Sequence, residues 1–144
     1  MKLLKHPDPF LKKHLPDFDF DKLDPLLLSD SMIKIMIENH GIGLAANQVG
    51  IDGRIFVMKP NNDFLVVINP VILDQSNDEV LMTEGCLSFD NQEYSIYRPT
   101  WIKVGFYNKY AQWGEYKFQN IEARCFLHEN DHLSGITFDT IATL

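Results

Sequence analysis

Residues 121–135 read IEARCFLHENDHLSG, and this stretch constrains the fold more than any other. His128 and His132 are four apart, with Glu129 directly after the first. On a helix over 121–133, at about 100° per residue, Ile121, Cys125, His128 and His132 share a face about 60° wide, with Glu129 at its edge. The i, i+4 spacing lets one cation take a nitrogen from each ring, and it leaves Glu129 beside that cation to accept a proton from water. Gly135 supplies a natural left-handed stop. The HExxH pattern also occurs on surface helices that bind nothing. A catalytic metal needs a third protein ligand and an open position, so the rest of the chain has to fold over this face.

The rest reads as a β-rich frame with one more helix. Four prolines (Pro7, Pro9, Pro16, Pro25) mark residues 6–25 as an extended, wrapping segment. Asp24-Pro25 resembles an N-cap followed by proline at the first helical position. Leu28, Met32, Ile35, Met36 and Asn39 then follow at helical spacing, and Gly41 closes a helix expected over 25–39. RIFVM (54–58), FLVVIN (64–69) and EVLM (79–82) are short apolar runs between turn residues. In TWIKVGFYN (100–108), Ile102, Val104 and Phe106 alternate with Trp101, Lys103, Gly105 and Tyr107, as in a strand with two different faces. EYKFQN (115–120) reads as its partner across a turn containing Gly114. The expected class is α+β: mostly antiparallel sheets packed around a central helix that carries HExxH, plus the N-terminal helix.

Composition narrows the function. At 144 residues the chain has the length of one domain with a core of its own. No apolar run approaches the roughly 20 residues of a membrane span, and MKLLKHPDPF lacks the pattern of a signal peptide. The net charge of −7 argues against a broad nucleic-acid or anionic-membrane surface. With only two cysteines, one of them in the expected second helix, a reducing compartment is the natural reading.

No histidine follows His132, and only Asp139 is acidic beyond it, so the third ligand is not a downstream His or Glu. Upstream, EGCLS (84–88) places Cys86 after a glycine at the end of a strand candidate. It reads either as a small buried hydrophobe or as a soft thiolate ligand held deprotonated by a cation. GIGLAANQVG (41–50) combines glycines and small residues with one amide, Gln48. It reads either as a helix end with Gln48 in solvent or as a close-approach loop with Gln48 turned inward.

Together, GIGLAANQ (41–48), EGCLS (84–88) and HENDH (128–132) resemble, in order and spacing, the three signature motifs of the peptide deformylases. The resemblance covers nearly the whole chain and implies one catalytic domain over 1–144. It implies Cys86, His128 and His132 as ligands of one divalent metal ion, Fe²⁺ in the cell, with Zn²⁺, Ni²⁺ or Co²⁺ in preparations. It further implies Glu129 as general base and then acid, and Gln48 with the Leu87 backbone N–H as oxyanion donors. The implied reaction removes the formyl group from the N-terminal formylmethionine of new polypeptides and releases formate, with the metal supplying hydroxide for attack on the formyl carbon. Gly43 and Gly85 would border an extended peptide, and Ile42, Met82, Ile121 and Cys125 would line an apolar pocket for the methionine.

The chain also departs from the family. Asp90 stands where many members have proline, and Glu93 where some have arginine. Glu84 and Arg98 are read either as a buried ion pair or as two solvated charges, and Asp131 as support behind the ligands. A long basic C-terminal extension is absent from this sequence. With the acidic charge, that predicts weak, transient ribosome contact, a monomer, and no direct nucleic-acid or membrane partner. Compact members of this kind occur among phage and organelle sequences, so the expected setting is the cytoplasm, the host's if the chain is phage-encoded. The alternatives are a non-catalytic relic that binds metal or formyl-peptide, and an HExxH-type metallopeptidase.

Overall fold

The structure is a computed structural model and describes residues 1–143. Helix α1 spans Pro25–Glu38. It starts where the Asp24 carboxylate accepts from the N–H groups of Leu26 and Leu27, with Pro25 in the first turn. Such a cap satisfies donors that have no partner within the helix and contributes about 1 kcal/mol. Ser29, Met32 and Met36 form its buried face. The helix ends differently from expectation: His40 (φ 58°), not Gly41, takes the left-handed conformation. Gly41 instead serves close approach, since a Cβ there would lie 2.5 Å from Leu87 Cδ1.

In chain order the strands are β1 (Gly43–Ala45), β2 (Ile55–Met58), β3 (Leu65–Gln75), β4 (Glu79–Cys86), β5 (Phe89–Pro99), β6 (Trp101–Tyr107) and β7 (Trp113–Gln119). Five form an antiparallel sheet in the order β1-β2-β3-β6-β7, while β4 and β5 form a separate two-stranded ribbon. The β6–β7 hairpin pairs as read from the sequence, with Ile102, Val104 and Phe106 buried. Gly114, however, lies within β7 opposite Phe106. The turn is made by 108–112, where Ala111 takes φ 61° and Asn108 N–H donates to the Gln112 carbonyl.

Two strands were not anticipated. β1 is only three residues long. β5 (FDNQEYSIYRP) opens with a polar stretch, DNQE, of little intrinsic strand character and is held by cross-strand pairing with β4, from Glu79↔Pro99 to Gly85↔Glu93. Residues 6–25 are not uniformly extended either. Asp8 caps a 3₁₀ turn over Pro9–Lys12, because proline at a first helical position is pre-set for a turn.

Helix α2 spans Asn120–Leu133 and packs against β1, β2, β5, β6 and β7. Phe126 anchors it, with ring centroids 5.0 Å from Phe56 and 5.6 Å from Phe118. Burying such a side chain is worth roughly 1.5–3 kcal/mol. Gly135 stops the helix with φ 74°. A smaller apolar cluster of Leu11, Phe89, Ile96 and Phe138 fastens the ribbon to both ends of the chain. No helix among the described residues is long and apolar enough to cross a membrane. Cys86 and Cys125 are both free thiols.

Candidate metal centre and active site

The ribbon and α2 meet at Cys86, His128 and His132, whose ligand atoms all lie within 4.8 Å of one another. Cys86 ends β4 just past a register shift between Gly85 and Cys86, and a bulge of this kind re-aims the side chain that follows it. Cys86 Sγ lies 3.4 Å from His132 Nε2. On the other ring, His128 Nδ1 lies 2.8 Å from Glu84 Oε1, which leaves Nε2 to face the sulfur side. A carboxylate behind a ligating histidine fixes its tautomer and its orientation.

Glu84 is the hub of a buried charge network. Arg98 donates to both of its oxygens, Nε to Oε2 (2.6 Å) and Nη2 to Oε1 (2.9 Å). Arg124 Nη1 donates to Oε2 (2.6 Å), and its guanidinium also reaches the carbonyls of Ile96 and Val80. Arg98 Nη1 donates to Asp131 Oδ2 (2.8 Å). Glu84 and Arg98 are therefore a buried bidentate pair and not two solvated charges, and Asp131 braces that pair.

The field at the site follows from this arrangement. Burial alone would raise the Glu84 carboxyl, but the hydrogen bonds and charges of Arg98 and His128 outweigh it and hold Glu84 at about 2. Burial likewise opposes charge on Arg98, yet Glu84 and Asp131 raise it. Asp131 is raised by its burial, against the pull of Arg98. Burial should lower His128, but Cys86, Glu129 and Glu84 surround it and push it up to about 10. His132, by contrast, is driven well down by burial and by the nearby His128 charge. Burial also raises the Cys125 thiol. Sulfur and two imidazoles, one of them backed by the Glu84 carboxylate, suit a divalent transition metal better than Ca²⁺ or Mg²⁺.

Glu129 points into the same space. It is 4% exposed, and its Oε1 is buried with no hydrogen-bond partner. Burial pushes its carboxyl up to about 7. Its other oxygen lies against β1: a Cβ on Gly43 would stand 2.5 Å from Glu129 Oε2. Gln48 lies on a 3₁₀ turn over Ala46–Val49 and is buried, not solvated. Its Oε1 accepts from Ala45 N–H (2.9 Å), while Nε2 donates to Ser88 Oγ (3.1 Å) and lies 3.5 Å from Cys86 Sγ.

Gln48, Glu84, Cys86, Arg124, His128 and Glu129 border a cavity of about 390 Å³, and His132 lies outside its lining. Ile42, Gly43, Gly85, Leu87, Ile121 and Cys125 all line it. Cys125 is deep, whereas Ile42 (58% exposed) and Ile121 (48% exposed) form the rim. Met82 does not line the cavity. It pairs with Ile96 out along the ribbon.

The family model described as polypeptide deformylase matches residues 1–143. The chain is 40% identical over 130 residues to the peptide deformylase of Thermotoga neapolitana, which covers 90% of this chain and 79% of that one. It is 35% identical over 146 residues to the chloroplastic peptide deformylase 1B of Oryza sativa subsp. japonica, which covers 96% of this chain. This chain spans about half the length of that rice relative (53%). The crystal structure of the Thermotoga maritima peptide deformylase superposes with a TM-score of 0.92 at 36% identity, covering 99% of this chain and 97% of that one.

The chain belongs to the peptide deformylase family.

Peptide deformylases are metalloenzymes, and the three motifs quoted for the family meet here at one cavity. Two further groups escaped the sequence reading. Arg124 stands one turn before His128 on the cavity side of α2, a placement legible from i, i+4 spacing. Ser88 closes EGCLS and carries the Gln48 amide. Only its place inside the motif hinted at this.

Proposed function

We propose that this chain hydrolyses the N-formyl group of formylmethionine at the start of newly made polypeptides, releasing formate. The cluster of Cys86, His128 and His132, beside an apolar-walled cavity that Cys86, His128, Glu129 and Gln48 line, carries this reading. Cys86, His128 and His132 would hold the metal: Fe²⁺ in the cell, with Zn²⁺, Ni²⁺ or Co²⁺ accepted in preparations. Bound there, a divalent cation polarises the formyl oxygen and makes water nucleophilic at neutral pH. Glu129 takes the proton of the attacking water and delivers it to the departing amine, which must be protonated to leave. Its buried, unpartnered Oε1 beside the ligand cluster supports that role. Gln48 Nε2–H and Leu87 N–H donate to the oxygen as it gains charge, and one such donor is worth about 3 kcal/mol of barrier.

The methionine side chain enters between Ile42, Ile121 and Cys125. Its backbone lies between β1 and β4, each of which has an unpaired edge and can accept an extended peptide. Gly43 and Gly85 keep that passage free of side chains. The same reading takes 1–144 as one catalytic unit with α2 at its centre, acting as a monomer in the cytoplasm. With a charge of −7, its encounters with the ribosome are transient. The test is formate release from formyl-Met-Ala-Ser by anaerobically purified protein, with metal analysis alongside. Release at one metal per chain is expected. Stoichiometric metal without release would leave only a binding protein, and preference for unformylated peptides would make it a peptidase.

A further inference from the structure

The two oxyanion donors assigned above lie on separate stretches of chain, and residues 4–6 tie those stretches together. Leu4 N–H donates to the Gln48 carbonyl (2.7 Å), and His6 N–H donates to the Ser88 carbonyl (2.8 Å). The Ser88 hydroxyl donates to the Leu4 carbonyl (2.7 Å) and accepts from Gln48 Nε2 (3.1 Å). The circuit is closed: Gln48 backbone, Leu4, Ser88, Gln48 side chain. Between these bonds, Lys5 Nζ donates to the Leu87 carbonyl (2.9 Å) and pairs with Asp90 Oδ1 (2.7 Å). One ammonium thus grips both ends of the Leu87–Asp90 turn.

The consequence for Gln48 is geometric. An amide has two N–H protons and one acceptor oxygen. Ala45 N–H engages the oxygen and Ser88 takes one proton. The second proton is donated to Cys86 Sγ (3.5 Å), so the amide is held at the sulfur that borders the cavity. Lys5 does not line the cavity and is half-exposed, so any effect it has on turnover passes through Leu87 and Ser88.

We propose that the Leu4–His6 arm is a positioning strap that holds the Gln48 amide and the Leu87 backbone at a fixed separation, with Ser88 as its joint and Lys5 as its outer clamp. The identity of the donors rests on the deformylase reading. An exposed ion pair of the Lys5–Asp90 kind adds little to stability, so the Lys5 clamp should be visible in rate and not in unfolding.

The experiment compares parent, Lys5→Met, Lys5→Arg and Ser88→Ala proteins, each metal-loaded, for kcat and KM on formyl-Met-Ala-Ser, metal content and urea midpoint. Lys5→Met is expected to lower kcat about threefold and Ser88→Ala about tenfold, less than full loss of a donor, with KM within about twofold. Metal content should match the parent's, and Lys5→Arg should restore kcat. Parent turnover together with an unchanged kcat in Lys5→Met, or with a loss confined to KM or to metal content, overturns the strap alone. A parent that releases no formate overturns the functional reading instead. If Ser88→Ala does not fold, the Lys5 pair decides.

Discussion

Glu129 has a buried oxygen without a partner among the described residues, an arrangement that costs stability unless something else needs it. The hydrolysis proposed above supplies that need. Glu129→Gln keeps shape and hydrogen-bonding reach but removes the base. The variant should bind metal at parent stoichiometry and lose about 10²–10⁴-fold in kcat. Formate assays alongside metal analysis check this, and parent-level turnover would remove Glu129 from its role. Gly43 sets where that carboxylate sits. Gly43→Ala puts a methyl 2.5 Å from Oε2, and a displacement of about 1 Å at a catalytic group costs on the order of 10²-fold. Turnover should fall by about that much while the far-UV spectrum and urea midpoint stay near the parent's. A Gly43→Ala enzyme at full rate would show that β1 does not position the base.

At the level of elements, the β4–β5 ribbon owes its place to charge more than to apolar packing. Its pairing to the five-stranded sheet is nil. It is attached through the small cluster of Leu11, Phe89, Ile96 and Phe138 and through Glu84, which meets Arg98, Arg124 and His128. Glu84→Gln leaves Arg124 buried without its counter-charge and Arg98 with Asp131 alone, and breaking a buried pair in this way costs roughly 3–5 kcal/mol. It also loosens His128, and loss of such a support lowers metal affinity about 10–100-fold. Urea unfolding and a metal-competition titration read the two effects separately. A variant as stable as the parent would mean that apolar contacts alone hold the ribbon. Helix α2 was legible because its periodicity is local. β5 was not, because DNQEY becomes a strand only through β4 beside it.

Across the whole molecule, the candidate metal site joins the middle of the chain to α2, so a metal bound there would also clamp the fold. A ligand that binds only the folded state adds RT ln(1 + [L]/Kd), about 2.7 kcal/mol at one hundred times Kd. Removing the metal with a chelator should therefore lower the thermal midpoint by several degrees, and adding Zn²⁺ or Co²⁺ back should restore it. Equal midpoints before and after chelation would mean that Cys86, His128 and His132 do not share an ion. The sequence by itself determined what depends on near neighbours: the capped start of α1, the register faces of β6, the helix bearing His128, Glu129 and His132, and the motifs that carry the family resemblance. Spacing along one chain is enough for those, because helix and strand periods repeat within a few residues. Only the tertiary structure decided which groups stand behind them. It brought Glu84 to two arginines and a histidine, laid Gly43 against Glu129, and ran Leu4–His6 across Gln48 and Ser88. These contacts join residues some 14 to 86 positions apart, and nothing in local spacing ranks one distant partner above another until packing brings the two together.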